Sequence, residues 1–246
     1  MKNEFYKSLK LVLICLICSI CFLSCKNVRA LESYQNKNGV NVTQKEFNFI
    51  KEFYGDDYFD EMTLEGYEWL ADLNINNSNV DIKKSETPFI STYSTSLTYL
   101  NKQIIIAKTC SVNCTILVKV NWLQTPAIKS YDVIGARLQS TALVGNNVFT
   151  RVFSTSGTSY YTSRDLFDNG FGTSISLQNT GSNINIEQKF TVQKGGTVYA
   201  SYQHSVESIT ELVSKSYNID SSGYGGVFNF TGNAIGKFDA MPGVEI

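Results

Sequence analysis

TILVKVNWL, residues 115–123, puts Ile116, Val118, Val120 and Trp122 on one phase and Leu117, Lys119, Asn121 and Leu123 on the other. Successive side chains of a β-strand stand on opposite faces, so a period of two predicts a strand with one face buried. The alternation recurs. Ile184 and Ile186 alternate with Asn183, Asn185 and Glu187, and Val198, Ala200 and Tyr202 alternate with Tyr199, Ser201 and Gln203. Further strands are expected at 93–100, 103–109, 131–138, 148–154, 173–178, 209–216 and 226–231. Between them lie the turn signals Asn146-Asn147, Asn169-Gly170, Gly181-Ser182, Lys194-Gly195-Gly196 and Ser222-Gly223. About ten short strands at this rhythm predict a mainly β fold, an antiparallel two-sheet sandwich, with no βαβ units. It would occupy residues 85–246.

Upstream the period changes to that of a helix. Residues 31–84 read as a short helical N-terminal segment. Thr43-Gln44-Lys45-Glu46 is a capping box: the threonine oxygen accepts from a first-turn amide while Glu46 reaches back to the Thr43 amide. Phe47, Ile50, Phe53 and Tyr54 follow at helical spacing. After Gly55-Asp56-Asp57, Thr63 is placed to cap a second helix presenting Leu64, Tyr67 and Leu70 or Ala71, which predicts a small αα-hairpin beside the sandwich. Asp56, Asp57, Asp60 and Glu61 lack the alternating acids and sharp glycine of a calcium loop and read as a solvated turn.

Residues 1–30 read as a signal peptide. The first ten carry three lysines and one glutamate, and thirteen apolar-rich residues from Leu11 to Leu23 follow, too few to span a bilayer. Cys15, Cys18, Cys21 and Cys25 have the spacing of a ferredoxin cluster loop, but the run between them is apolar and Lys26, not proline, follows Cys25. In that setting cysteine acts as a small hydrophobe. Val28-Arg29-Ala30 predicts cleavage after Ala30. Phe22-Leu23-Ser24-Cys25 offers the rival of a lipid on Cys25 and so of membrane attachment, with phenylalanine a poor fit three residues before the cysteine, and an uncleaved anchor is the further alternative. Either way the folded part is expected outside the cytoplasm, secreted or at the cell surface.

Val28-Arg29-Ala30-Leu31-Glu32-Ser33-Tyr34, then Asn38-Gly39-Val40-Asn41-Val42-Thr43 leading to Glu46-Phe47, and later Met62-Thr63-Leu64-Glu65-Gly66-Tyr67-Glu68, resemble the start of uncharacterised exported proteins of low-GC Gram-positive bacteria. Trp122-Leu123, Pro126 and Ser130-Tyr131-Asp132-Val133-Ile134-Gly135-Ala136-Arg137 are similar to the β part of those proteins. The resemblance covers about half the chain. It implies export and cleavage after Ala30 and carries over no functional residue. Gly66 departs from the pattern, where a better helix former is usual.

Composition narrows the function classes. Five of the 21 Lys and Arg and one of the 22 acids precede Leu31, which leaves 16 against 21 in residues 31–246, a net charge of −5. A mildly acidic surface argues against nucleic acid as a partner, since phosphate neutralisation needs clustered Lys and Arg. His204 is the only histidine, and Ser205 beside it points to the opposite face of a strand, so no catalytic residue is assigned; a strand histidine at a rim is expected. Cys110 and Cys114 lack a second pair or a histidine for metal, and neither Gly223-Tyr224-Gly225-Gly226 nor Lys194-Gly195-Gly196 leads from a strand into a helix as a phosphate loop must. No metal site and no cofactor are expected. Residues 173–193 read as an amphipathic hairpin of the flavour used by pore-forming toxins, though its first arm is shorter than the roughly 9 to 11 residues a spanning strand needs.

The expectation is an exported, non-enzymatic β-sandwich that binds an extracellular glycan or protein. Its rivals are an extracellular hydrolase acting on cell-wall or polysaccharide substrates and a membrane-active toxin. Tyr160, Tyr161, Tyr199 and Tyr224 are the candidate ligand-contact aromatics. Outside the cell thiols oxidise, so Cys110 and Cys114 are expected to form one disulfide across the neck of a hairpin.

Overall fold

The computed structural model describes residues 33–84, 102–205, 217–219, 228–230, 238–240 and 244–246. The signal segment with Cys25 and Ala30, the strands expected at 93–100 and 209–216, and Tyr224 with its glycine-rich turn lie outside the described residues. The chain divides into two compact units, one up to Leu64 and one from Glu65.

In the first unit a short antiparallel pair, β1 (Ser33–Gln35) and β2 (Asn41–Thr43), runs straight into helix α1 (Gln44–Tyr54). The capping box forms: Thr43 Oγ1 accepts from the Glu46 amide at 3.2 Å, and Glu46 Oε2 accepts from the Thr43 amide at 2.8 Å. Gly55, at φ +109°, ends the helix, a backbone angle that glycine adopts without a Cβ clash. α1 buries Phe49, Ile50 and Phe53. Buried Asn36 ties the β1–β2 turn to the short helix α2 (Tyr58–Glu61), donating to the carbonyls of Phe59 and Met62 at 2.7 and 2.8 Å.

Helix α3, Leu64–Ala71, starts at the last residue of the first unit and leads, with a 3-10 turn, Ile75–Asn77, into the second. Residues 79–84, read from sequence with the helical segment, form a strand, β3 (Asn79–Lys84). Then come β4 (Lys102–Cys110), β5 (Asn113–Trp122), β6 (Tyr131–Gln139), β7 (Leu143–Ser154), β8 (Gly157–Tyr161), β9 (Asp165–Phe167), β10 (Gly170–Ser176), β11 (Asn185–Gln193) and β12 (Thr197–Ser205). Short strands follow: β13 (Tyr217–Ile219), β14 (Phe228–Phe230), β15 (Phe238–Ala240) and β16 (Val244–Glu245). The fold is mainly β, with antiparallel sheets in a sandwich arrangement and few helices. Sheet I has the order β3-β4-β5-β11-β7-β8, and sheet II the order β15-β12-β6-β10-β9 with β16 also on β12.

The core lies between the sheets. Ile116, Val118, Val120 and Trp122 of β5 meet Ile134 and Ala136 of β6 there, and Phe171 of β10 packs edge-on against Phe190 of β11 at 4.7 Å. Gln188 bridges the layers inside it, donating to Thr150 of sheet I at 3.0 Å and to Thr173 of sheet II at 3.1 Å. On the outer face of sheet II, Tyr217 lies over Gly172, where a Cβ would stand 2.4 Å from its ring. Burial and the Asp165 carboxylate push the Tyr217 phenol well above its ordinary range.

The hairpin expected at 173–193 does not form. Its arms, β10 and β11, belong to different sheets: β10 pairs with β6 and β9, β11 with β5 and β7. The connection between them crosses from one layer to the other. It is fixed at both ends, by the Leu177 amide on the Ser130 carbonyl at 2.8 Å and the Trp122 amide on the Ile184 carbonyl at 3.0 Å. Alternation reports which face is buried and is silent on which strand lies alongside.

Cys110 and Cys114 are opposed residues of the β4–β5 hairpin and are joined by a disulfide. Closing so small a ring removes little chain entropy, on the order of 2 kcal/mol. The purified protein is therefore expected to show no free thiol at these positions on non-reducing alkylation and mass spectrometry. The Cys110→Ser, Cys114→Ser double variant should melt a few degrees lower and keep its binding; two alkylated thiols in the native protein would rule the bond out.

Candidate functional site

Two polar assemblies stand out in the second unit, one inside the sandwich and one on its outer face. The inner one surrounds His204. Along β12 the inward phase is Val198, Ala200, Tyr202 and then His204, and along β6 it is Asp132, Ile134 and Ala136. His204 Nδ1 lies 3.0 Å from both Asp132 carboxylate oxygens, and the Ser205 amide donates to Asp132 Oδ1 at 3.1 Å. Tyr202 donates its hydroxyl to Asp132 Oδ2 and accepts from Trp122 Nε1 at 3.2 Å. The Trp122 ring closes over His204 edge-on at 4.7 Å.

His204 is 2 % exposed and Asp132 is fully buried, which corrects the expected rim position. Three groups, the Tyr202 hydroxyl, the His204 ring nitrogen and the Ser205 amide, converge on the one carboxyl. The arrangement gives a buried polar group its partners and locks the end of β12 to β6. Both side chains of the pair are enclosed by their neighbours.

The outer assembly runs across sheet I as one cross-strand row. Register places Ile105, Lys119, Glu187, Arg151 and Tyr160 side by side on β4, β5, β11, β7 and β8. Sequence alternation leaves this phase to solvent, yet Lys119, Glu187 and Arg151 are all buried. Charge pairing makes that burial tolerable: Arg151 Nε and Nη2 reach Glu187 Oε2 at 2.9 and 2.8 Å. Burial lowers the Lys119 ammonium from 10.5 to about 8, with the Glu187 carboxylate opposing the shift and Lys84 adding to it.

Helix α3 covers part of this face. The Trp69 ring sits 4.5 Å from the Arg151 guanidinium and 4.7 Å from Lys189 Nζ. Lys189 Nζ also donates to the Trp69 carbonyl at 2.7 Å and to Asp72 Oδ2 at 2.8 Å. At the sheet edge Tyr160 lies beside Trp69, ring centroids 6.3 Å apart, and donates its hydroxyl to Glu65 Oε1. Burial, then the Glu65 carboxylate, raises the Tyr160 phenol above its ordinary range. The ring nonetheless stays 53 % exposed, and Phe149 is exposed on the same phase of β7.

The four candidate aromatics thus separate. Tyr160 presents an exposed ring whose hydroxyl is bonded to Glu65. Tyr161, one residue on and therefore on the opposite face, packs against the core and uses its hydroxyl on the Ser176 backbone, donating to the carbonyl and accepting from the amide, both at 3.1 Å. Tyr199 is buried under Arg137, whose guanidinium lies 4.2 Å from its ring, and its hydroxyl donates to Gln139 Oε1 at 2.9 Å. Tyr224 lies outside the described residues. Among the described residues no cluster of His, Cys, Asp or Glu could hold a metal ion, and no helix is long and apolar enough to cross a membrane. Sequence reading missed Trp69, Arg151 and Asp132. Asp132 carried a signal, as a lone acid on the apolar phase of its strand.

The fold class is a two-sheet antiparallel β-sandwich. No protein-family model matches the sequence, and no curated protein sequence matches it. Among solved structures, the chain is similar to the collagen-binding subdomain of Enterococcus faecalis surface protein ACE, at 12 % identity, 55 % of this chain, 86 % of that one and a TM-score of 0.33. It is similar to the collagen-binding domain of Erysipelothrix rhusiopathiae surface protein RspB, at 9 % identity, 67 % of this chain, 60 % of that one and a TM-score of 0.34. The collagen-binding domain from a Staphylococcus aureus adhesin gives 11 % identity, 39 % and 79 % coverage and a TM-score of 0.26. Overlaps this loose carry no assignment.

Proposed function

We propose that the chain is an exported protein that acts outside the cell by binding, and that its contact surface is the outer face of sheet I at the β7–β8 edge. Export rests on the basic start, the apolar run and Ala30. The observation that carries the binding role is Tyr160, a half-exposed ring held in one orientation by Glu65 and flanked by Trp69. A large amphipathic side chain fixed before a ligand arrives loses little entropy on contact, which makes it an effective anchor. The enclosed His204–Asp132 pair supports the non-enzymatic side of the reading.

The purified secreted chain, screened against a glycan array and in pull-downs from extracellular fluid, is expected to retain a ligand that the Tyr160→Ala variant retains poorly. No ligand in either screen, or equal retention by both chains, would remove this reading.

A further inference from the structure

The charges around Tyr160 narrow the ligand's chemistry. Of the charged side chains described on β5, β11, β7 and the α3 segment, three cations, Lys119, Arg151 and Lys189, balance three anions, Glu65, Asp72 and Glu187. They are also engaged with one another or with the aromatic groups: Arg151 with Glu187, Lys189 with Asp72, and Glu65 with the Tyr160 hydroxyl. Lys84, a further cation of the row, stands at the opposite edge of the sheet on β3.

Building on the binding reading above, we infer that this face binds a neutral glycan. A sugar ring presents polarised C–H bonds on one side, which match the electron-rich face of an exposed tyrosine. Its vicinal hydroxyls donate, and the Asp72 carboxylate, 74 % exposed, and the exposed Glu65 carboxylate beside Tyr160 can each accept from a diol while keeping their present partners. An acidic ligand would meet those carboxylates head-on, and the cations beside them, Lys189 next to Asp72 and Arg151 next to Tyr160, oppose a cationic one.

The full secreted chain should be tested on an array carrying glucose, galactose and N-acetylglucosamine oligomers beside sialylated and uronate glycans, with a lysine-rich and a glutamate-rich peptide. The expected result is retention of one or more neutral oligomers, nearly unchanged between low and high salt. Tyr160→Ala should weaken it about tenfold or more, and Tyr160→Phe, which keeps the ring, within about threefold. Both variants must melt like the parent, as an exposed position allows. Retention confined to acidic glycans or a charged peptide, with strong salt dependence, would overturn the neutral-glycan inference and leave the binding reading standing. Neutral glycans held equally by Tyr160→Ala would move the site elsewhere and overturn the inference. No retention of any probe, with none in the pull-downs, would remove both.

Discussion

Asp132→Ala is expected to lower the stability of the folded chain by about 3–5 kcal/mol, the cost of stripping one partner from a buried, hydrogen-bonded charge assembly. Three groups converge on that carboxyl: the Tyr202 hydroxyl, His204 Nδ1 and the Ser205 amide. Tyr202, His204 and Ser205 are buried with it, so removing the carboxyl takes a partner from three enclosed groups. Asp132→Asn should cost less, since the amide keeps one acceptor oxygen, but its NH2 group then faces donors. His204→Ala removes one donor and opens a cavity under Trp122. The Asp132→Ala, His204→Ala double variant should cost clearly less than the two single losses together, because both act through one contact. Urea unfolding of the four chains decides this. An Asp132→Ala loss under about 1 kcal/mol, or strict additivity, would show that the assembly is not the lock described above.

How much of this was legible in the sequence depends on which physical signal each part leaves. Thr43 and Glu46 act within four residues, so the capping box could be read outright, and α1 follows it. The phase of β5, β11 and β12 was legible because burial of Ile116, Ile186 and Val198 imposes a period of two. Pairing was not. Residues 173–193 look like a hairpin and are two strands of different sheets, since alternation is the same whether the neighbour follows immediately or lies many residues away. The outer face of sheet I was misread for a related reason. Lys119, Arg151 and Glu187 look solvated one at a time, and only the three-strand register that sets Glu187 between the other two explains their burial. Tyr160 was a fair candidate from sequence, but its neighbour Tyr161 looked equally good until the strand direction assigned them to opposite faces. Trp69 left no signal, because its role comes from the packing of α3 on strands more than eighty residues downstream.

The buried lysine also sets an alkaline signature. The Lys119 pKa of about 8 in the folded chain lies below the roughly 10.4 of an unfolded lysine, so between those values the unfolded state binds more protons. Stability is therefore expected to rise with pH through this window, the reverse of what a lysine gaining a salt bridge would give. Below pH 8 the folded chain carries the full cost of a buried ammonium, which Glu187 offsets only in part. The tyrosines set the upper bound. Burial raises the Tyr161 and Tyr217 phenols, so above about pH 10 the folded state holds more protons than the unfolded one and stability falls again. Between about pH 8 and 10 the wild-type chain is expected to gain on the order of 2–3 kcal/mol. Lys119→Met fills the same space without a charge and leaves Glu187 its Arg151 partner at 2.8 Å. Its curve should be flat across the window, with stability at pH 7 equal to or above that of the wild type. Urea unfolding of both chains at close pH steps reads the difference directly. A flat wild-type curve, or a Lys119→Met curve that keeps the rise, would mean that Lys119 holds its proton in the folded state as firmly as in the unfolded one.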